Sequence, residues 1–150
     1  MAQPSFQQLN SGWNADANAP YPSVEVVGSD VLLRFALNRF QYPAFTKDDV
    51  GVIRFKACSR YRLGNTNDEG WYRGQCRYSK IAPAWGEFYE LIGPDDVANQ
   101  PDDWVNIESE HSGRHFLFYF RDDTFECFAA DWLFDPIPTN ALSRFAGAKG

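Results

Sequence analysis

Alternating apolar residues on either side of Gly28-Ser29 predict a β-hairpin. Residues 24–27 and 31–37 would form its strands, and glycine at the first loop position favours a type II′ turn. This turn would place Val26 opposite Val31 and give the hairpin one apolar and one mixed face. The apolar face would consist of Val24, Val26, Val31, Leu33, Phe35 and Leu37.

A second hairpin is predicted from Val52 to Leu63 and back from Trp71 to Ser79. Alternation gives both strands one apolar and one basic face. A register that joins the apolar faces separates Cys58 from Cys76 and excludes a disulfide bond between them. Cys58 would then be exposed among cations that favour its thiolate, although we expect an inert or merely oxidisable thiol. The basic face would carry Arg54, Lys56, Arg60, Arg62, Arg73 and Arg77.

A third hairpin is predicted from His115 to Arg121 and from Thr124 to Trp132, with Asp122-Asp123 as its turn. The apolar face is expected in the core, and the mixed reverse face is expected either to face solvent or to form a second, thinner contact layer. Across the apolar face this turn would pair Phe120 with Phe125, Phe118 with Cys127 and Phe116 with Ala129. The reverse face would carry His115, Leu117, Tyr119, Arg121, Thr124, Glu126, Phe128 and Ala130.

The remaining pattern adds one strand and three short helical segments. A strand is expected from Glu87 to Ile92, and capping residues predict helical turns after Ser5, Thr46 and Thr139, the last running toward Phe145. Three hairpins with one apolar face each must cover those faces. We therefore predict a mainly β, single-domain antiparallel β-sandwich or partly open curved barrel with short terminal helices. An α+β arrangement is the alternative.

Composition favours one folded domain over residues 1–150. The chain is 17% aromatic and 23% charged, which argues against disorder for most of it. Residues 1–22 would form an irregular arm packed on the domain, and residues 139–150 a short helix and tail. The N-terminal residues contain neither a basic start nor an apolar run, and three widely spaced cysteines favour reduced thiols. We therefore expect a cytoplasmic protein without a signal peptide or a membrane span.

Charge is divided along the chain. Residues 51–80 hold seven basic and two acidic residues, residues 87–135 hold two basic and thirteen acidic ones, and the net charge is −6. Either these charges pair within the molecule, or one of the two regions binds a partner. The acidic total disfavours nucleic acid as that partner. Candidate binding residues beyond the basic face are Trp71, Trp85, Asp95, Asp96, Asp102 and Asp103.

Two spacings that are typical of metal sites fail on closer reading. His111 and His115 are four residues apart, yet the glycine between them and the strand that follows place them near a loop rather than on a helix. The loop from Asn65 to Gly70 has the alternating oxygens of half a calcium loop, but Cys76 stands where a carboxylate is needed. No metal or cofactor is therefore expected.

The sequence lacks the common phosphate-binding, hydrolase and metalloprotease motifs. We therefore expect a non-enzymatic protein-protein interaction module. Its small size, acidity and aromatic content resemble those of bacterial immunity proteins that neutralise basic toxins, which implies a basic protein partner. One alternative is a small-molecule-binding protein in which Arg60, Arg73 or Arg77 holds an anionic group. A further alternative is an enzyme with an unfamiliar site near His115, Glu126 and Tyr119.

Overall fold

The computed structural model describes residues 5–16, 20–45, 49–65, 87–93, 104–107, 113–120 and 123–137. These residues form ten β-strands and no helix. In chain order the strands are β1 Ser5–Gln8, β2 Ser23–Val27, β3 Asp30–Ala36, β4 Val50–Lys56, β5 Arg60–Asn65, β6 Phe88–Ile92, β7 Val105–Asn106, β8 Arg114–Tyr119, β9 Asp123–Ala129 and β10 Asp131–Ile137.

The strands form two antiparallel sheets that pack face to face. The large sheet has six strands in the order β1-β6-β8-β9-β5-β7, and the small sheet has four in the order β10-β4-β3-β2. Apolar residues from the inner faces of both sheets form one buried core. The described residues are therefore a mainly β sandwich that is not closed into a barrel, as the alternation predicted.

Aromatic rings fill much of the core. Phe55 of the small sheet stacks on Phe125 of the large sheet with 5.2 Å between ring centroids. The ring centroids of Phe35 and Phe118 lie 4.9 Å apart across the same interface. Gly51 leaves room for the Phe35 ring, because a Cβ atom at this position would lie 2.8 Å from Cζ of that ring. The core thus combines large rings with one position that tolerates no side chain.

The first predicted hairpin is confirmed in its turn and its register. β2 and β3 pair with Val26 opposite Val31 and Val24 opposite Leu33. Gly28 has a φ of 62°, which a type II′ turn requires at its first loop residue. The hydrophobic alternation and the turn residues predicted the same register, because both signals depend only on residues close together in the sequence.

The second prediction is wrong at the centre of its first strand. The run from Val52 to Leu63 is divided between β4 in the small sheet and β5 in the large sheet. Ala57 takes a left-handed conformation, with φ 50°, and the Cys58 amide donates to the Ser29 carbonyl at 2.7 Å. The chain therefore turns a corner from one sheet into the other. The return strand from Trp71 to Ser79 lies outside the described residues.

The third prediction has the right faces and a wrong register. β8 and β9 pair Phe118 with Phe125 and Phe116 with Cys127, so the pairing is shifted by two residues from the prediction. The hairpin is centred one residue earlier than Asp122-Asp123. A two-residue shift keeps every side chain on its face, which is why the predicted core residues are buried.

The predicted strand from Thr124 to Trp132 is also divided, because β9 ends at Ala129 and β10 begins at Asp131 in the other sheet. The amide of Ala130, between the two, donates to the Lys56 carbonyl at 2.9 Å. The Ser59 amide donates to the Phe128 carbonyl at 2.8 Å. Both crossings therefore occur side by side, and we call them together the double corner.

The N-terminal arm contains a strand where a helical turn was predicted. β1 pairs with β6, and Phe6 meets the Tyr89 ring edge to face at 5.3 Å. This tertiary contact overrides the capping signal at Ser5. The arm continues with Trp13, which is buried against Phe134. β6 confirms the expected strand. The helix expected to begin at Thr46 is wrong, because β4 begins at Val50. The segment after Thr139 lies outside the described residues.

Candidate functional site

Three ionisable side chains meet on the outer face of the large sheet. The Glu126 carboxylate on β9 accepts a hydrogen bond from Arg62 Nη1 on β5 at 3.0 Å. Its other oxygen lies 2.9 Å from Nε2 of His115 on β8. Glu126 is fully buried, and Arg62 and His115 keep only 11% and 7% of their side-chain surface. We call this group the ion cluster.

Strand register explains why these residues meet. Glu126 and Arg62 are direct cross-strand partners, whereas His115 is paired with Phe128, one position further along the same face. Leu117 and Tyr119 alternate with His115 along β8 and are also buried. This face, predicted to be either a solvent face or a second contact layer, is a contact layer.

Aromatic rings border the ion cluster on one side. The Arg60 guanidinium lies 4.2 Å from the centroid of the Trp104 ring and 4.7 Å from that of Phe128. The His115 ring stacks on the ring of its cross-strand partner, Phe128, with 4.4 Å between centroids. Cations over aromatic faces are favourable, and more so when they are removed from water. The outer face thus combines charged and aromatic groups.

The ion cluster has the parts of an acid-base site. The Glu126 carboxylate bonds to one ring nitrogen of His115 and so fixes the orientation of the imidazole. Arg62 places a positive charge in hydrogen-bonding contact with the same carboxylate. The same cluster can also serve only to join β5, β8 and β9 through a shared buried charge.

The described members of the predicted basic face do not share one surface. The double corner places Arg54 and Lys56 on the exposed face of the small sheet, and Arg60 and Arg62 on the large sheet. Arg54 Nε donates to the Asp30 carboxylate at 2.7 Å. The backbone amide of Ala57 and then Arg54 lower the pKa of Asp30. The described arginines of this set are thus held within the chain.

The prediction that Cys58 is exposed is wrong. Cys58 is buried at the double corner, and its thiol donates to the Arg60 carbonyl at 3.3 Å. Cys127 is buried beside it, and burial, followed by a hydrogen bond with the Cys58 thiol, raises the pKa of Cys127. Both are free thiols, and neither has the exposed, cation-rich setting of a reactive thiolate.

The other predicted site residues lie outside the described residues: Trp71, Arg73, Arg77, Trp85, Asp95, Asp96, Asp102 and Asp103. Sequence reasoning named His115 and Glu126 together but missed Arg62 as their partner, because it paired the strand of Arg62 with a different segment. Trp104 was also missed. The available signal was the complementary charge of Arg62 and Glu126, each flanked by apolar residues.

Within the described ranges, no group of three or more histidine, cysteine, aspartate or glutamate residues could hold a metal ion. In that same part of the chain, no helix is long and apolar enough to cross a membrane. Comparisons with protein-family models, with curated proteins and with solved structures found no match to this chain. The class defined here is therefore structural: a β-sandwich with an ion cluster on its large sheet.

Proposed function

We propose that the protein is a non-enzymatic, cytoplasmic interaction module that binds a basic protein partner through its acidic residues. The observation that carries this proposal is the internal pairing of four arginines among the described residues. Arg34, Arg54, Arg62 and Arg114 each form an ion pair with a carboxylate of the same chain. The net charge of −6 comes from acidic residues that outnumber the basic ones.

This pairing argues against a basic ribbon that binds phosphate or nucleic acid. Such a surface needs cations that are available to replace counterions. Acidic residues are instead concentrated between residues 94 and 103, where Asp95, Asp96, Asp102 and Asp103 occur in two pairs. Charge of one sign steers a partner of the other sign and contributes to specificity. The free thiols of Cys58 and Cys127 support a reducing compartment.

The test is a pull-down at low and high salt with two variants, Asp95→Asn with Asp96→Asn and Asp102→Asn with Asp103→Asn. The matched control is Asp131→Asn with Asp135→Asn, which makes the same change in charge at exposed positions of β10. We expect a basic protein to be retained by the wild type and the control at low salt, and lost by at least one variant. Equal retention by all four proteins would overturn the proposal.

A second candidate function is the binding of a small anionic ligand on the outer face of the large sheet. The observation in its favour is that Arg60, Arg62 and His115 share this face with the Trp104 and Phe128 rings. Ligand sites commonly combine aromatic walls with a few convergent polar groups. A thermal-shift screen of carboxylates and phosphates tests it, with Arg60→Met as the variant that should lose any shift.

A further inference from the structure

The small sheet has two edges of different character. β10 forms one edge and carries Asp131, Asp135 and Pro136, which are residues that natural sheets use to block pairing with another strand. β2 forms the other edge and contains no proline and no lysine. Its valines Val26 and Val27 are 45% and 39% exposed. The β2 edge therefore lacks the proline and the two aspartates that protect β10, and Glu25 is the one charged residue of β2.

The hairpin register shows which backbone groups face outward from β2. In a two-residue turn the carbonyl of the first residue accepts from the amide of the fourth, so Val27 and Asp30 form a hydrogen-bonded pair. Hydrogen-bonded and non-bonded pairs then alternate. Val24 and Val26 consequently direct their amides and carbonyls away from β3. No described residue pairs with these four groups.

The Glu25 side chain determines which kind of strand can pair with the β2 edge. Glu25 lies midway between Val24 and Val26, and its carboxylate is half exposed although one oxygen pairs with Arg34 at 2.8 Å. A second copy of this chain that used all four outward groups would place Glu25 opposite its own counterpart, and like charges in that position are unfavourable. A lysine or arginine in an incoming strand would instead meet an opposite charge.

We propose that the β2 edge binds an extended segment of the basic protein partner as a fifth strand, with a basic residue opposite Glu25 and small apolar residues beside Val24 and Val26. This inference rests on the proposed function, because it assumes a basic partner. Strand addition gains affinity from backbone hydrogen bonds and specificity from alternate side chains. The β1 edge lacks this selectivity, since Ser5–Gln8 contains no charged residue.

The direct test uses a short synthetic peptide of alternating valine and lysine, and its counterpart with glutamate in place of lysine. Binding is followed by NMR as shifts and exchange protection of the Val24 and Val26 amides. Val26→Pro removes an outward amide without removing a bond to β3, so the sheet should persist. We expect it to weaken binding of the lysine peptide roughly tenfold or more, and Glu25→Gln to weaken it roughly two- to fivefold.

The control is Asp135→Asn on β10, which should leave binding unchanged. Failure of the lysine peptide to protect Val24 and Val26, or equal binding of both peptides, would overturn the inference. The pull-down separates this failure from failure of the proposed function. If Val26→Pro still retains the partner that the acidic variants lose, the module stands and the β2 edge is not its binding surface.

Discussion

The two outer faces of the sandwich use the same ionic chemistry in different surroundings. On the large sheet, Arg62 and Glu126 pair at 3.0 Å with almost no exposed surface. On the small sheet, Arg34 and Glu25 pair at 2.8 Å with 38% and 53% of their side chains exposed. The distances are nearly equal, so distance alone does not distinguish the two pairs.

This difference indicates that exposure to solvent, and not contact geometry, determines how much each ion pair contributes to the free energy of unfolding. Water screens the exposed pair and competes for both of its partners, so exposed pairs contribute about 0–1 kcal/mol. The buried pair has lost its hydration, and each charge depends on the other for compensation. Breaking the buried pair should therefore cost far more than breaking the exposed one.

The largest expected effect comes from removing the central charge. Glu126→Gln removes the buried charge that pairs with Arg62 and should lower the free energy of unfolding by about 3–5 kcal/mol. The matched variant Glu25→Gln breaks the exposed pair and should cost less than about 1 kcal/mol. Urea-induced unfolding of both variants measures the two values.

Salt provides a control within the same experiment. At 1 M salt the screening length falls to about 3 Å, so the cost of Glu25→Gln should nearly disappear while that of Glu126→Gln persists. Similar costs for the two variants at low salt would show that burial does not govern these pairs and would break the comparison.

A smaller contrast is expected for two arginines that lie over rings. Arg60 lies 4.2 Å from the Trp104 centroid and is buried, whereas Arg39 lies 4.8 Å from the centroid of the exposed Phe40 ring. Arg60→Met should cost about 2 kcal/mol or more, and Arg39→Met about 0.5 kcal/mol. Thermal unfolding of the two variants compares them, and equal shifts would contradict the role of desolvation.

The smallest effect concerns Asp30 on the exposed face. Its pKa is lowered by the Ala57 amide and by Arg54, so the ionised form stabilises the folded state. This contribution, about 1 kcal/mol or less, is complete above the pKa of an unfolded aspartate, about 3.9. It is lost as the pH falls through the lower folded pKa. Asp30→Asn should therefore be less stable than wild type at pH 7, and the difference should close as the pH falls through the lowered pKa of folded Asp30.

The part of the fold that could be predicted from sequence is the part that short-range rules control. Gly28-Ser29 specified both the turn and the register of β2 and β3. Alternation also placed Phe116, Phe118 and Phe125 in the core although their register was shifted by two residues. Side-chain direction has a period of two, so the faces were insensitive to this error.

The rest depended on long-range contacts. Between Val52 and Leu63 only Cys58 and Ser59 break the alternation, and the left-handed conformation of Ala57 has no glycine or proline to announce it. The pairing of β5 with β9 joins residues about sixty positions apart, as the separation of 64 between Arg62 and Glu126 illustrates. Without that pairing, alternating arginines read as a solvated face. The buried site was therefore beyond a local reading.

The double corner also bears on how the chain reaches this structure. The segment β4–β5 and the segment β9–β10 each contribute one strand to both sheets. Neither sheet can therefore form fully before these two segments pair. Closing such long loops costs chain entropy before the contacts repay it. We therefore expect a slow folder, with a time constant on the order of milliseconds to seconds as in other β-sandwiches. The corner makes the assembly of the two sheets a single kinetic event.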